Sequence, residues 1–175
     1  MKKSVVSSVM CFVALSLCVI SCSRNSHEGT KGVVREETGS YVDLGLSSGT
    51  KWCSVNEKRT DDAEYDFFSY DEAVSEFGGS LPTKELWEEL KSECQWTWEG
   101  SGYQITGPNG NTISLPALGY CNCFGRLIHE TSCGYYWSSS SDRQIYGWRL
   151  DFDADHVRMY FGGRCNKGSV RLVQN

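Results

Sequence analysis

The side chains able to do chemistry in this 175-residue chain are its cysteines, its three histidines and a group of arginines and carboxylates near the C-terminus. His129 precedes Cys133 closely enough for an imidazole to serve as base to a thiol nucleophile. No orienting partner or oxyanion donor accompanies that pair. The alternative is that Cys53, Cys94, Cys121, Cys123, Cys133 and Cys165 form disulfides, up to three in an exported chain, with roughly fifteen pairings formally open. Cys121 and Cys123 point to the same side if extended and bond more naturally elsewhere than to each other. Zinc is disfavoured because paired C-x-x-C knuckles and an accompanying His pair are missing. Asp151-Phe152-Asp153-Ala154-Asp155 opens like a calcium loop, but His156 replaces the turn glycine and Gly162 the bidentate Glu, so a tight turn is preferred. No catalytic residue, metal or cofactor is expected.

Binding chemistry has better candidates. In the final predicted hairpin, Trp148, Leu150 and Phe152 share a face with Val157, Met159 and Phe161, the expected core. The other face carries Arg149, Asp151, Arg158 and Tyr160, and adjoining loops carry Asp142, Arg143, Gln144, Arg164 and Asn166. Arginine and aromatic side chains without a burial role are enriched in binding surfaces. A solvated face with cross-strand ion pairs accounts equally well for the pattern.

The elements holding these residues begin after an export signal. Lys2 and Lys3, an apolar run over 9–20 and the small Ser21 form a signal peptide over residues 1–21, too short to span a bilayer as a permanent helix. Val19-Ile20-Ser21-Cys22 resembles the bacterial lipobox, which implies cleavage before Cys22 and lipidation of its thiol. Two or more acyl chains would hold the protein stably on a membrane. Ser23 is not the Asp that commonly retains lipoproteins at the inner membrane, so the outer membrane is favoured, facing the periplasm or outward. Residues 22–38 read as a lipidated N-terminus and polar tether, with a reach of roughly 50 Å. Without residues 1–21 the chain carries 15 basic and 22 acidic side chains, a net charge of −7, which argues against nucleic acid as a partner.

Residues 39–175 read as one domain. Alternation over Tyr41–Leu46 and Thr50–Val55 around Ser47-Ser48-Gly49 predicts a hairpin. Ser69 and Glu72 form a capping box for a first helix that stops at Gly78-Gly79. Thr83 caps a second helix ending near Cys94, with Leu86, Trp87 and Leu90 on one face and Glu85, Glu88, Glu89 and Glu93 as a solvated charge run. Trp96 and Trp98 alternate with Gln95 and Thr97 in a strand. Gly107-Pro108-Asn109-Gly110 joins two more. Pro116 to Cys133 has no clear period. Strands follow over Tyr135–Ser139, Ile145–Phe152, Val157–Phe161 and Ser169–Val173, with Asp153-Ala154-Asp155 as the turn between the middle two. Early strands, two helices and then strands give an α+β order.

Several of these segments resemble the Fibrobacter-type major paralogous domain of Bacteroidetes lipoproteins. They are Tyr41-Val42-Asp43-Leu44-Gly45-Leu46 with Gly49-Thr50-Lys51-Trp52, Leu81-Pro82-Thr83-Lys84-Glu85-Leu86-Trp87, and Cys94-Gln95-Trp96-Thr97-Trp98. Gly107-Pro108-Asn109-Gly110-Asn111, Leu115-Pro116-Ala117, Gly134-Tyr135-Tyr136-Trp137-Ser138-Ser139 and Ser169-Val170-Arg171 continue the match in order and spacing. After Asn56 the family's frequent Val-Gly-Ala is replaced by a short acidic loop. The resemblance implies a C-type-lectin-like fold, two helices packed on a small twisted mostly antiparallel sheet, with a ligand-facing surface near the C-terminus. The superfamily includes formylglycine-generating enzymes and retroelement-diversified binding proteins. Animal lectin calcium triplets are absent, which disfavours calcium-dependent sugar binding. The expectation is a non-enzymatic module that binds an extracellular or periplasmic protein or glycan. The alternatives are a structural subunit of an envelope assembly and a cysteine oxidase like the formylglycine-generating enzymes.

Overall fold

A computed structural model describes residues 39–58, 66–142 and 144–175, which fall within one compact unit. The signal, Cys22, His27, the tether to residue 38, residues 59–65 of the acidic loop and Arg143 lie outside the described residues.

The first hairpin forms where the alternation predicts it: β1 (Tyr41–Asp43) pairs antiparallel with β2 (Lys51–Cys53), with Val42 opposite Trp52. After β3 (Phe68–Ser69) comes α1 (Tyr70–Phe77), whose start is fixed by the capping box: Glu72 N donates to Ser69 Oγ and Ser69 N to Glu72 Oε2. A short 3-10 turn, Gly78–Ser80, leads toward α2 (Lys84–Glu93), capped by Thr83 Oγ1, which accepts from Leu86 N. Trp87 and Leu90 are buried on the apolar face of α2, with Leu86 packed beside them. The acidic run is not uniformly solvated. Glu93 accepts from Ser47 N, and Glu89 from Ser48 N and Ser48 Oγ, so these two carboxylates fasten the first hairpin turn to the helix.

A three-stranded meander follows: β4 (Gln95–Trp98), β5 (Gly102–Thr106) and β6 (Thr112–Pro116), in that sheet order. The stretch without a period holds two short strands, β7 (Tyr120–Cys121) and β8 (Leu127–Ile128). Then come β9 (Gly134–Asp142), β10 (Tyr146–Phe152), β11 (Val157–Gly163), β12 (Lys167–Gly168) and β13 (Val173–Gln174). The class is α+β, as read from the sequence, but the strands divide into four small sheets, with orders β1-β2-β13, β11-β10-β9, β3-β12-β7-β8 and β4-β5-β6.

The predicted strand over Ser169–Val173 is split because its backbone serves two partners. Ser169 exchanges hydrogen bonds with β9, its N–H reaching Tyr135 O and its carbonyl accepting from Trp137 N, whereas Leu172 O accepts from Cys53 N in β2. The segment therefore stitches two sheets together and extends neither fully. Buried between them, the Arg171 guanidinium donates to Cys53 O, Ser114 O and Asn56 Oδ1, which braces three parts of the chain.

Two apolar clusters anchor the elements. The larger one gathers Trp52, Trp87, Tyr136, Leu150 and Phe152 with the inner faces of β5 and β6, and the Trp52 and Trp87 rings lie 4.6 Å apart. The smaller one packs α1 through Tyr70, Ala73 and Phe77 against Trp137 and Val170. Trp137 Nε1 donates to Phe68 O at 2.7 Å, and Trp87 Nε1 donates to Trp137 O. These two buried indoles are thereby satisfied as burial requires, whereas Trp52 Nε1 has no hydrogen-bond partner.

Candidate functional site

β10 is the middle strand of its sheet, and that position decides the fate of the predicted binding face. Its register sets Arg149 between Trp137 of β9 and Tyr160 of β11, and Asp151 between Tyr135 and Arg158. Leu150 and Phe152 point into the larger cluster, as the alternation predicts, with Trp148, Val157 and Met159 half-buried. Phe161 departs from that prediction and is exposed, stacked on Tyr160.

The opposite face of β10 is covered as well. Arg149 and Asp151 are only 8% and 6% exposed, which corrects their assignment to a solvent-facing binding surface. The Arg149 guanidinium lies 4.6 Å from the Tyr135 ring centre, 5.5 Å from Tyr120 and 5.9 Å from Trp137. Aromatic faces attract a desolvated cation. Its Nε is 2.7 Å from Asp151 Oδ1 but off the N–H axis, so only Nη2 to Asp151 Oδ2, at 3.2 Å, has hydrogen-bond geometry. Burial raises the Asp151 pKa above the usual carboxylate range, against the opposing pull of Arg149 and Arg158. Gly162 makes room for this arrangement: a Cβ there would lie 2.7 Å from Arg149 Nη1.

The other predicted contact residues are dispersed. Arg158 and Tyr160 are exposed on the β11 edge, with the guanidinium 5.6 Å from the ring centre. Arg164 is half-buried over the Tyr70 ring at 4.5 Å, and its Nη1 lies 3.4 Å from Asp71. Asp142 is half-buried at the end of β9, Gln144 is exposed in the following turn, and Asn166 is half-buried beside Cys123.

Of the six cysteines, Cys123 and Cys165 are bonded, while Cys53, Cys94, Cys121 and Cys133 are free thiols, so three bridges are not formed. Cys53 is buried at the end of β2, and Cys94 caps α2. Burial, with Glu93 and Glu89 nearby, pushes the Cys94 thiol up to about 11. Cys133 Sγ accepts from Ser132 Oγ, and the His129 ring bonds elsewhere. The Tyr135 hydroxyl is 2.7 Å from His129 Nδ1, and Tyr135 also feels the Cys133 thiol. Burial first, then the Cys133 contact, drives the Tyr135 pKa upward, so its hydroxyl keeps its proton at neutral pH. His129 and Thr131 both adopt positive φ, 57° and 61°, a conformation uncommon outside glycine and most unusual for the β-branched Thr131.

The cleft beside this group, lined by Cys133, Tyr135, Asp151, Asp153, His156 and Arg158, holds about 30 Å³. That is room for a water or two and not for a substrate. A roomier hollow of about 240 Å³ lies by Val55, Pro116, Leu118 and Arg171. The Arg171 donors facing it are already engaged with Asn56 and two backbone carbonyls. No group of three or more His, Cys, Asp or Glu side chains among the described residues has metal-binding geometry.

Sequence reading missed the exposed apolar side chains next to the disulfide. Phe124 is 89% exposed in the turn between β7 and β8, Ile145 is 63% exposed in the turn before β10, and Leu127 is also exposed. The disulfide and the Arg164 N–H donated to Ile145 O bring these turns to one end of the fold. The available sequence signal was an aromatic residue set between a cysteine and a turn glycine, Cys123-Phe124-Gly125.

No protein-family model, curated protein or solved structure matches the chain.

Proposed function

We propose that the chain is a lipid-anchored exported protein whose domain is a non-enzymatic binding module of C-type-lectin-like type. Its ligand is an extracellular or periplasmic protein or glycan, engaged by the β11 edge and the loop end of the C-terminal sheet. The observation that carries this reading is the exposure of Phe124, Ile145, Tyr160 and Phe161 in a domain whose other large rings are mostly buried or half-buried. Exposed aromatics beside Arg126 and Arg158 have the composition of interface anchors. The segments resembling the Fibrobacter-type major paralogous domain support the same reading, as does a polar tether behind Cys22.

The revised surface is Arg158, Tyr160, Phe124 and Ile145, with Arg149 and Asp151 beneath it as support. Its test is capture of envelope proteins and glycans on an array by the domain from Gly39 onward, compared with a Phe124→Ser/Tyr160→Ala variant. A loss of capture of ten-fold or more with unchanged melting supports the surface. Equal capture by both overturns it.

A structural role in an envelope assembly is favoured by one observation. β11 has no strand on its outer side among the described residues, leaving backbone donors and acceptors open to a neighbouring chain. A discrete oligomer on size exclusion that Tyr160→Pro dissolves would select that reading over capture of a separate ligand.

A further inference from the structure

Of the three cysteines around the β7–β8 turn, Cys121 lies on a ladder and the other two in the adjoining turns. Cys121 of β7 pairs with Lys167 of β12, antiparallel. Continuing that register two residues past the strand ends sets Cys123 opposite Cys165, and those two residues form the disulfide, with Cα atoms 5.2 Å apart. The bridge therefore joins directly facing positions. Cys121 is the diagonal neighbour of Cys165 and keeps a free thiol. Diagonal positions across an antiparallel pair lie about 7–8 Å apart, and a disulfide usually spans up to ~6.8 Å between Cα atoms. A closure of about 1 Å would bring Cys121 within bonding reach.

The strands end in turns here, although β12 and β7 are the inner strands of their sheet. β7 and β12 have two residues each, and turns follow Cys121 and precede Lys167. Cys123 and Cys165 are exposed and Cys121 half-buried, so all three sulfurs sit at or near the surface. By contrast, Cys53 is buried in β2 and Cys94 caps α2, both far along the chain from the bridge.

We infer that Cys121, Cys123 and Cys165 form a thiol–disulfide exchange site in which the bridge moves between two registers. The Cys121 thiolate attacks Cys165 Sγ, the Cys121–Cys165 bond forms as Cys123–Cys165 breaks, and Cys123 leaves as a thiolate that takes up a proton equivalent to the one lost by Cys121. The number of disulfides and of thiols is unchanged, and no outside oxidant or reductant is consumed. In the second register the turn bearing Phe124 is no longer tied to the Arg164 turn. The consequence for ligand capture rests on the binding surface proposed above, whereas the exchange itself does not.

The full mature chain, held without oxygen at pH 8.5, is sampled over hours, quenched in acid and alkylated with N-ethylmaleimide. Fragment mass spectrometry then locates the labels and bridges. The expected result is a growing fraction with a Cys121–Cys165 bridge and labelled Cys123, reaching at least several per cent and absent from Cys121→Ser. In Cys123→Ser oxidised with diamide, the bridge Cys121–Cys165 should become the main species. Wild-type protein in which Cys121 remains the sole labelled member of the three throughout overturns the inference, whatever the variant does. Exchange without any change in ligand capture leaves the site standing and removes its link to Phe124.

Discussion

Arg149 Nε and Asp151 Oδ1 stand 2.7 Å apart on the same face of β10, both side chains almost fully buried beneath Tyr120, Tyr135 and Trp137. This pair supports the C-terminal surface from below. Breaking it should leave an uncompensated buried charge, so Arg149→Ala is expected to cost about 3–5 kcal/mol of unfolding free energy. The double change Arg149→Met/Asp151→Leu should fall within about 1 kcal/mol of wild type or above it, since burying the ions is itself expensive. Urea unfolding of both variants checks this. A single variant as stable as wild type would show that the pair is solvated in solution.

Close packing around Gly147 makes a second expectation. A Cβ there would stand 2.0 Å from the Tyr70 ring, which is held by its hydroxyl bond to Ser139 O and its edge contact with Trp137. Gly147→Ala should therefore destabilise the domain by about 1–3 kcal/mol through overpacking. Removing the obstacle in Gly147→Ala/Tyr70→Leu should recover part of the loss, a coupling that a double-mutant cycle measures.

Cys94 gives a pH signature. Its ordinary value is 9.0 and its folded value is about 11, with burial as the first cause and Glu93 and Glu89 adding to it. The native protein thus holds this proton where the unfolded chain has begun to lose it. Its contribution to stability is complete below about pH 9 and is lost as the pH rises toward 11. Iodoacetamide labelling of Cys94 in the folded protein should rise with a midpoint near 11, and in urea near 9. Equal midpoints in the two conditions would rule out the buried environment.

At the start of α1, Ser69→Ala removes the acceptor for Glu72 N and should cost about 1 kcal/mol. Ser69→Asp keeps an acceptor and should restore most of the loss. Thermal melts of the two variants distinguish capping from a simple response to any substitution at this position.

The helices and hairpins were legible because their signals are local. Ser69-Tyr70-Asp71-Glu72 and Thr83 carry their own backbone acceptors within three residues, and Gln95 to Trp98 alternates so regularly that one side must be drier than the other. The cover over Arg149 and Asp151 was not legible, for a reason of the same kind. Alternation along β10 separates two faces but does not say whether both are covered. A strand with one polar face reads as half-exposed unless its neighbours are known.

What the sequence by itself determined, then, is the α+β order, the two helices with their caps, the first hairpin, the meander and the strands of the final hairpin, and the inward set Trp87, Leu90, Leu150 and Phe152, all fixed by contacts within a few residues or by period. Tertiary structure alone decided that Arg149 and Asp151 go under cover, that Cys123 bonds with Cys165, and that Phe124 and Ile145 stand exposed at one end. Those outcomes depend on β10 lying between β9 and β11 and on β12 meeting β7. Such pairings join residues up to about forty apart or more, and burial or bonding follows from which chain segments meet, a quantity no local pattern carries.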